Sequence, residues 1–250
     1  MAGHSKWANI KHRKARQDAA KGKAWSRCSK AIIVAAKNGG GDPEANLALR
    51  YAIDDAKAEN MPKDTIAKAI KKGTGELEGA ADYVEVRYEG YGPGGVAVMV
   101  DCLTDNLNRT APEIRKIFER ANGNLGVPGS VSFGFNQKGL IIYEKQRISE
   151  DDLMMLAIDA GAEDVRLNDD VWEVATDPKT FMSVKQALVD AGHEPDSAAI
   201  TMIPQTTVKC VGDDADKIMR LIENLEDHDD VQNVYANFEI SEEDLARLGA

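Results

Sequence analysis

The sequence has few cysteines, and they form no disulfide or metal-binding pattern. Cys28, Cys102 and Cys210 lie far apart in a chain of 250 residues, and no CxxC pair or Cys/His cluster occurs. This spacing excludes a disulfide framework and a zinc finger, and it indicates a reducing compartment. We therefore expect no structural metal and no disulfide-stabilised extracellular domain.

Long apolar runs are also missing. The longest, Ala31–Ala36 and Val96–Val100, are far too short to span a bilayer. The N-terminus carries charges but lacks the apolar segment of a secretory signal. These absences predict a cytoplasmic protein with no membrane partner.

No sequence pattern of a known catalytic site is recognisable. The histidines are scattered, and none forms a Ser/His/Asp or Cys/His set. The glycine-rich stretch Tyr88–Gly95 lacks the Gly-Lys-Ser/Thr ending of a phosphate-binding loop, and apolar strand patterns flank it. We interpret it as a hairpin turn. The sequence thus predicts a non-enzyme with no cofactor and no small-molecule substrate.

What the sequence does have is a strong separation of charge. The net charge of −11 conceals a basic N-terminal part, because residues 1–75 contain 16 basic and 7 acidic side chains. The remaining 175 residues contain 15 basic and 35 acidic side chains, a net charge of −20. Such asymmetry indicates a polyanionic partner for the basic part.

The first thirty residues are the predicted nucleic-acid-binding segment, because nine Lys and Arg side chains stand there against a single acid. Cations at this density neutralise phosphates and release counterions, and Trp7 could stack on an unpaired base. Helical spacing places Arg16, Lys23, Arg27 and Lys30 along one side of a helix. No base-reading motif is evident, so the pattern indicates a polyanion without choosing one. The predicted binding residues are Lys6, Trp7, Lys11, His12, Arg13, Lys14, Arg16, Lys21, Lys23, Arg27 and Lys30.

Two acidic clusters have ordinary structural interpretations. Asp213–Asp216 is typical of the first turn of a helix, where carboxylates favour the helix dipole. Glu226–Asp230 is interpreted as a solvated loop, because it lacks the ligand spacing of a calcium-binding loop.

The N-terminal part has the pattern of three helices. The first begins near Arg16 and ends at Asn38–Gly41. The second is expected to open at Asp42-Pro43, with Asp42 as the N-cap. The third follows Pro62 and stops at Gly73.

Strand patterns begin after Gly79. Two strands flank the glycine-rich turn, and a capping box at Thr110–Glu113 predicts the start of a helix. Residues 138–203 follow the order β-α-β-β-α-β, which is typical of a ferredoxin-like domain. Residues 206–240 then add a strand (Thr207–Val211), a helix (Ala215–Leu225) and a strand (Val231–Phe238).

These patterns predict an α+β multidomain protein with a split domain. The unit at 83–122 has too few strands for a stable layer, and the segment at 206–240 could complete it. We predict a basic helical domain with an extended N-terminal arm at residues 1–79. A split α+β domain is expected at 80–135 plus 205–250, and an inserted ferredoxin-like domain at 136–204.

A set of short motifs is spread over essentially the whole chain: Met1–Lys14, Ala35–Pro43, Tyr88–Gly95, Thr104–Thr110, Gly123–Gly126, Ala160–Asp164, Ser197–Pro204 and Leu225–Val231. The combination is highly specific, although single pieces would not be. Through these motifs the chain resembles the YebC/PmpR family over essentially its whole length.

The resemblance implies a helical domain, an α+β domain and an inserted ferredoxin-like domain, with no enzymatic activity. Family members are described as DNA-binding transcriptional regulators. Others resemble translation factors, including mitochondrial activators of cytochrome oxidase synthesis and ribosome-bound factors that relieve stalling at proline runs. The expected partner is therefore nucleic acid, either DNA or ribosomal RNA on the ribosome. The oligomeric state is left open, with a monomer expected.

Overall fold

The computed structural model describes residues 21–79, 82–168 and 170–241, together with Asp244 and Arg247. Contacts along the chain divide these residues into two compact units. We call residues 21–131 with Gly212–Val234 the helix–sheet unit. Residues Ser132–Val211 with those from Tyr235 onward are the ferredoxin-like unit. Among the helices described, none is long and apolar enough to cross a bilayer.

Three helices open the helix–sheet unit: α1 (Lys21–Gly39), α2 (Leu47–Ala58) and α3 (Lys63–Gly73). They enclose an apolar core in which Ile32, Leu49 and Ala56 are fully buried. A Cβ at Gly73 would lie 2.5 Å from the carbonyl oxygen of Ile33, so this glycine lets α3 end directly against α1. The predicted three-helix pattern is thus confirmed for the described residues.

The predicted start of α2 at Asp42-Pro43 is wrong. The N-cap is Asn46, whose side-chain oxygen accepts the N–H of Leu49 at 3.1 Å. The amide of Asn46 also donates to the carbonyls of Ala35 and Gly40, each at 2.8 Å. Asp42 instead forms a local turn by accepting the N–H of Glu44. Asn46 is the better cap because its side chain satisfies three backbone partners from a buried position.

A four-stranded sheet completes this unit, with strand order β3-β1-β2-β9. Its strands are β1 (Val84–Tyr91), β2 (Ala97–Thr104), β3 (Asn124–Leu125) and β9 (Val231–Ala236). β1 and β2 pair in antiparallel fashion, so the interpretation of the glycine-rich stretch as a hairpin turn is confirmed.

Helices α4 (Leu107–Arg120) and α7 (Asp213–Glu226) pack against each other in the same unit. The acidic cluster Asp213–Asp216 lies in the first turn of α7, as predicted, with Gly212 as the N-cap. The capping box at Thr110 is wrong, because the N-cap of α4 is Asn106. Thr110 lies inside the helix, where its buried hydroxyl is hydrogen-bonded to that of Thr104 at 2.7 Å.

The ferredoxin-like unit contains the predicted β-α-β-β-α-β order, with sheet order β5-β6-β4-β7. Its elements are β4 (Phe135–Glu144), α5 (Glu150–Asp159), β5 (Asp164–Asn168), β6 (Val171–Thr176), α6 (Phe181–Asp190) and β7 (Ser197–Pro204). Ile141, Val174, Leu153, Val184 and Leu188 are fully buried in this unit. The predicted multidomain α+β fold class is confirmed.

The segment at 206–240 is only partly as predicted. β9 joins β2, but β8 (Val208–Cys210) pairs in parallel with β10 (Phe238–Ile240) in a separate two-stranded sheet. The pattern predicted one strand from Val231 to Phe238, and the structure interrupts it at Asn237, whose carbonyl accepts the N–H of Val208 at 2.7 Å. The domain limits predicted from the sequence stay a prediction.

Candidate nucleic-acid interface

The structure describes only part of the predicted binding segment. Lys6, Trp7, Lys11, His12, Arg13, Lys14 and Arg16 lie outside the described residues, and so does the side chain of Lys21, the first residue of α1. The described members of the predicted site are Lys23, Arg27 and Lys30, all on α1.

These three cations lie on one side of α1, as their spacing predicts, and all contact the acidic loop Glu226–Asp230. The Lys23 ammonium donates to the backbone carbonyl of Asp227 and lies 3.2 Å from its carboxylate. Arg27 donates to the carbonyl of Glu226, and Lys30 donates to that of Asp229 at 2.9 Å. Part of their charge is therefore neutralised within the protein. Their predicted contact with nucleic acid stays a prediction.

Asp230 is the centre of this contact. Its side chain is 4% exposed and lies 3.0 Å from the Lys30 ammonium and 2.7 Å from the Arg109 guanidinium. The hydroxyl of Thr110 donates to the same carboxylate at 2.8 Å. Burial alone would raise the pKa of Asp230, but the hydrogen bonds from Arg109, Lys30 and Thr110 outweigh it and hold the pKa well below its ordinary value.

The interpretation of Glu226–Asp230 as a solvated loop is therefore wrong for Asp230. It holds for Asp227 and Asp229, which are exposed. The sequence gives no sign of the difference, because the partners of Asp230 come from helices more than a hundred residues away in the chain. A buried carboxylate with three donors is a structural junction between α1, α4 and the start of β9.

A cleft of about 680 Å³ lies beside this junction, within the helix–sheet unit. Both cations and carboxylates line it, so it presents no surface of a single charge. His228 accepts the N–H of Asp230 on Nδ1 and lies 3.0 Å from Glu113 through Nε2, so a neutral ring carries its proton on Nε2. The charged residues lining the cleft are Lys30, Arg109, Lys116, Arg120, Asp105, Glu113, Asp227, Asp229 and Asp230.

The described residues contain no cluster of three or more His, Cys, Asp or Glu side chains that could hold a metal ion. In the acidic loop, the carboxylates of Asp227 and Asp230 are paired with Lys23 and Lys30.

Sequence reasoning missed a further group of cations on α3. Lys63, Lys68 and Lys71 are exposed and Lys72 is half-buried, and Asp64 is the one acid of the helix. The four lysines of this eleven-residue helix are visible in the sequence. The density of cations is higher in the first thirty residues, so the predicted site is confined to that segment.

The fold and the charged helical part define a multidomain α+β protein with a basic N-terminal region. Two family profiles match the chain. The TACO1/YebC protein N-terminal domain matches residues 5–76, and the TACO1/YebC second and third domain matches residues 83–238. The chain belongs to the TACO1/YebC family.

Relatives of similar length are known in several bacteria. One from Geobacter sulfurreducens is 54% identical over 99% of this chain and 100% of its own length. One from Dictyoglomus turgidum is 55% identical, again over 99% and 100% of the two chains. Both are named "Probable transcriptional regulatory protein". The crystal structure of a conserved hypothetical protein from Aquifex aeolicus is similar, with a TM-score of 0.80 and 47% identity over 90% of this chain and 93% of that chain.

Proposed function

We propose that the protein regulates gene expression by binding nucleic acid through its basic N-terminal segment. The observation that carries the proposal is the charge separation, with a net charge of +9 in residues 1–75 and −20 in the rest. A phosphate backbone attracts the first part and repels the second, so the molecule approaches the polyanion with its N-terminal part. The expected binding residues remain those of the segment from Lys6 to Lys30.

DNA is the first candidate partner. The relatives carry the name of transcriptional regulators, which makes promoter DNA the natural expectation for this chain. We expect binding that depends on the phosphate backbone, since the sequence contains no base-reading motif. The protein would act in the cytoplasm without a cofactor and without catalysis.

RNA on the ribosome is the second candidate, and one feature of the sequence favours it. Trp7 stands among the cations of the basic segment, where an aromatic ring could stack on an unpaired base. RNA presents such bases in loops and bulges, whereas a DNA duplex keeps them stacked. Translation control is therefore the alternative, including relief of stalling at proline runs.

Crosslinking in cells, followed by sequencing of the bound DNA and RNA, separates the two candidates. Enrichment of promoter fragments is expected for the transcriptional regulator, and enrichment of ribosomal RNA for the translation factor. A matched strain in which Lys11, Arg13 and Lys14 are changed to Glu controls for nonspecific crosslinking. Equal recovery of nucleic acid from both strains would contradict binding through the basic segment.

A further inference from the structure

Helix α3 carries an excess of cations that no acidic side chain among the described residues neutralises. It contains Lys63, Lys68, Lys71 and Lys72 against Asp64. Within the part of the chain that the structure describes, none of the four lysines forms an ion pair. Three of the four are exposed.

The other basic helices differ in this respect. On α1, the cations Lys23, Arg27 and Lys30 are engaged by the acidic loop. On α4, Arg109 is paired with Asp105 and Asp230, and two glutamates stand among the remaining cations. Among the helices described, α3 therefore has the largest excess of cations without a partner.

The lysines stand on the side of α3 that faces away from its core. Ile66 and Ala69 are buried against the other helices, whereas Lys68, which lies between them in sequence, and Lys71, which follows them, are exposed. Lys68 is three residues from Lys71 and four from Lys72, a spacing at which like charges on a helix repel each other. The surface therefore concentrates positive charge.

Helix stability accounts for only part of this arrangement. Cations in the last turn interact favourably with the helix dipole, which suits Lys71 and Lys72. Lys63 stands at the opposite end, where a cation is unfavourable, and Lys68 repels its neighbours. A bound polyanion would attract Lys63 and Lys68 and would so offset the unfavourable dipole interaction of the first and the repulsion around the second.

We propose that the exposed face of α3, formed by Lys63, Lys68, Lys71 and Lys72, binds the sugar–phosphate backbone of nucleic acid. This inference rests on the proposed function and adds a second contact surface to the basic segment. α3 packs directly along α1, the helix that continues from that segment. Lysine ammonium groups act as point charges on phosphates and read no bases, so the contact is independent of sequence.

The test is a binding titration of the full-length protein with a labelled 30-base-pair DNA duplex and a labelled 30-nucleotide RNA. For K68E/K71E we expect affinity on the order of tenfold to a hundredfold weaker at about 0.1 M salt, and a salt dependence shallower by roughly two phosphate contacts. K68R/K71R keeps the charge and should bind like the wild type. K68A/K71A removes the charge while retaining helix propensity, and it should show the same loss of salt dependence.

The matched control is K145E/K179E, which makes the same change of net charge at exposed lysines of the ferredoxin-like unit. It should bind within about threefold of the wild type, because neither lysine belongs to α3 or to the basic segment. Equal affinities of K68E/K71E and this control would overturn the α3 surface, while the proposed function would stand. A wild-type protein that binds neither probe would overturn both.

Discussion

At the scale of single residues, Asp230 is where α1, α4 and the strand that follows the acidic loop are joined by charge. A buried carboxylate is tolerated only while its donors stay in place, and here they are Lys30, Arg109 and Thr110. Replacing Asp230 with Asn leaves two cations facing a neutral amide. We expect the free energy of unfolding to fall by about 2–3 kcal/mol. Urea denaturation measures this loss.

The neighbouring Asp229 supplies the control, since it is the same residue type but exposed. Asp229→Asn should change the free energy of unfolding by less than about 0.5 kcal/mol. Similar losses in the two variants would contradict the assignment of Asp230 as the junction.

The same pair of variants predicts a pH dependence. The pKa of Asp230 is lower in the folded protein than the ordinary value near 3.9, so its stabilisation is fully present at neutral pH, well above that value. It is lost as the pH falls from about 5 toward the folded pKa, because the unfolded chain takes up the proton first. The stability difference between wild type and Asp230→Asn should therefore shrink below about pH 4. A difference that stays constant down to pH 3 would contradict the lowered pKa.

The residue scale also shows what sequence can and cannot predict about the site. The spacing of Lys23, Arg27 and Lys30 predicts a shared helix side, because it depends only on the helical repeat. Their engagement with Glu226–Asp230 depends on a contact about 200 residues distant, and no local pattern encodes it. Charge density alone could not separate engaged cations from those on α3.

At the scale of elements, the pairing of β4 with β6 in the ferredoxin-like unit depends on a glycine. Gly139 lies opposite Thr176, and a Cβ there would be 2.2 Å from the Thr176 hydroxyl and 2.5 Å from the ring of Phe181. Gly139→Ala should lower the free energy of unfolding by about 1–3 kcal/mol through overpacking. Gly134→Ala is the control, because no atom lies within 4 Å of its Cβ position. Thermal unfolding of both variants measures the contrast, and equal melting temperatures would contradict it.

The order of the elements follows from the sequence, but several of their ends do not. Hydrophobic periodicity and glycine breaks predict the six elements of the ferredoxin-like unit in the correct order. The predicted N-caps of α2 and α4 each differ by four residues from those in the structure, because two acceptable caps compete at each site. Asn46 caps α2 because its amide also donates to two carbonyls at the end of the preceding helix. Thr110 lies inside α4, where its hydroxyl donates to the buried carboxylate of Asp230. Hydrogen bonds to other parts of the fold therefore determine which of two candidate residues caps each helix.

At the scale of the whole molecule, we propose the domain arrangement predicted from the sequence. All four strands of the ferredoxin-like sheet lie between residues 135 and 204, which makes that segment a candidate for independent folding. Limited proteolysis should release a folded product near residues 136–204. A segment of residues 80–135 that folds without the C-terminal part would contradict the split domain, because β9 and α7 would then be dispensable.

The charge separation leads to the most direct test of the proposed function. Changing Lys11, Arg13 and Lys14 to Glu inverts the sign of the segment that should meet the phosphates first, so binding to nucleic acid should be abolished without unfolding the protein. With roughly five phosphates contacted, the wild type should lose affinity with a slope of about −4 in log affinity against log salt. Circular dichroism and a salt titration of labelled duplex DNA check the fold and the slope. Unchanged affinity of the triple variant would refute the basic-segment hypothesis, and a flat salt response of the wild type would rule out phosphate-dominated binding.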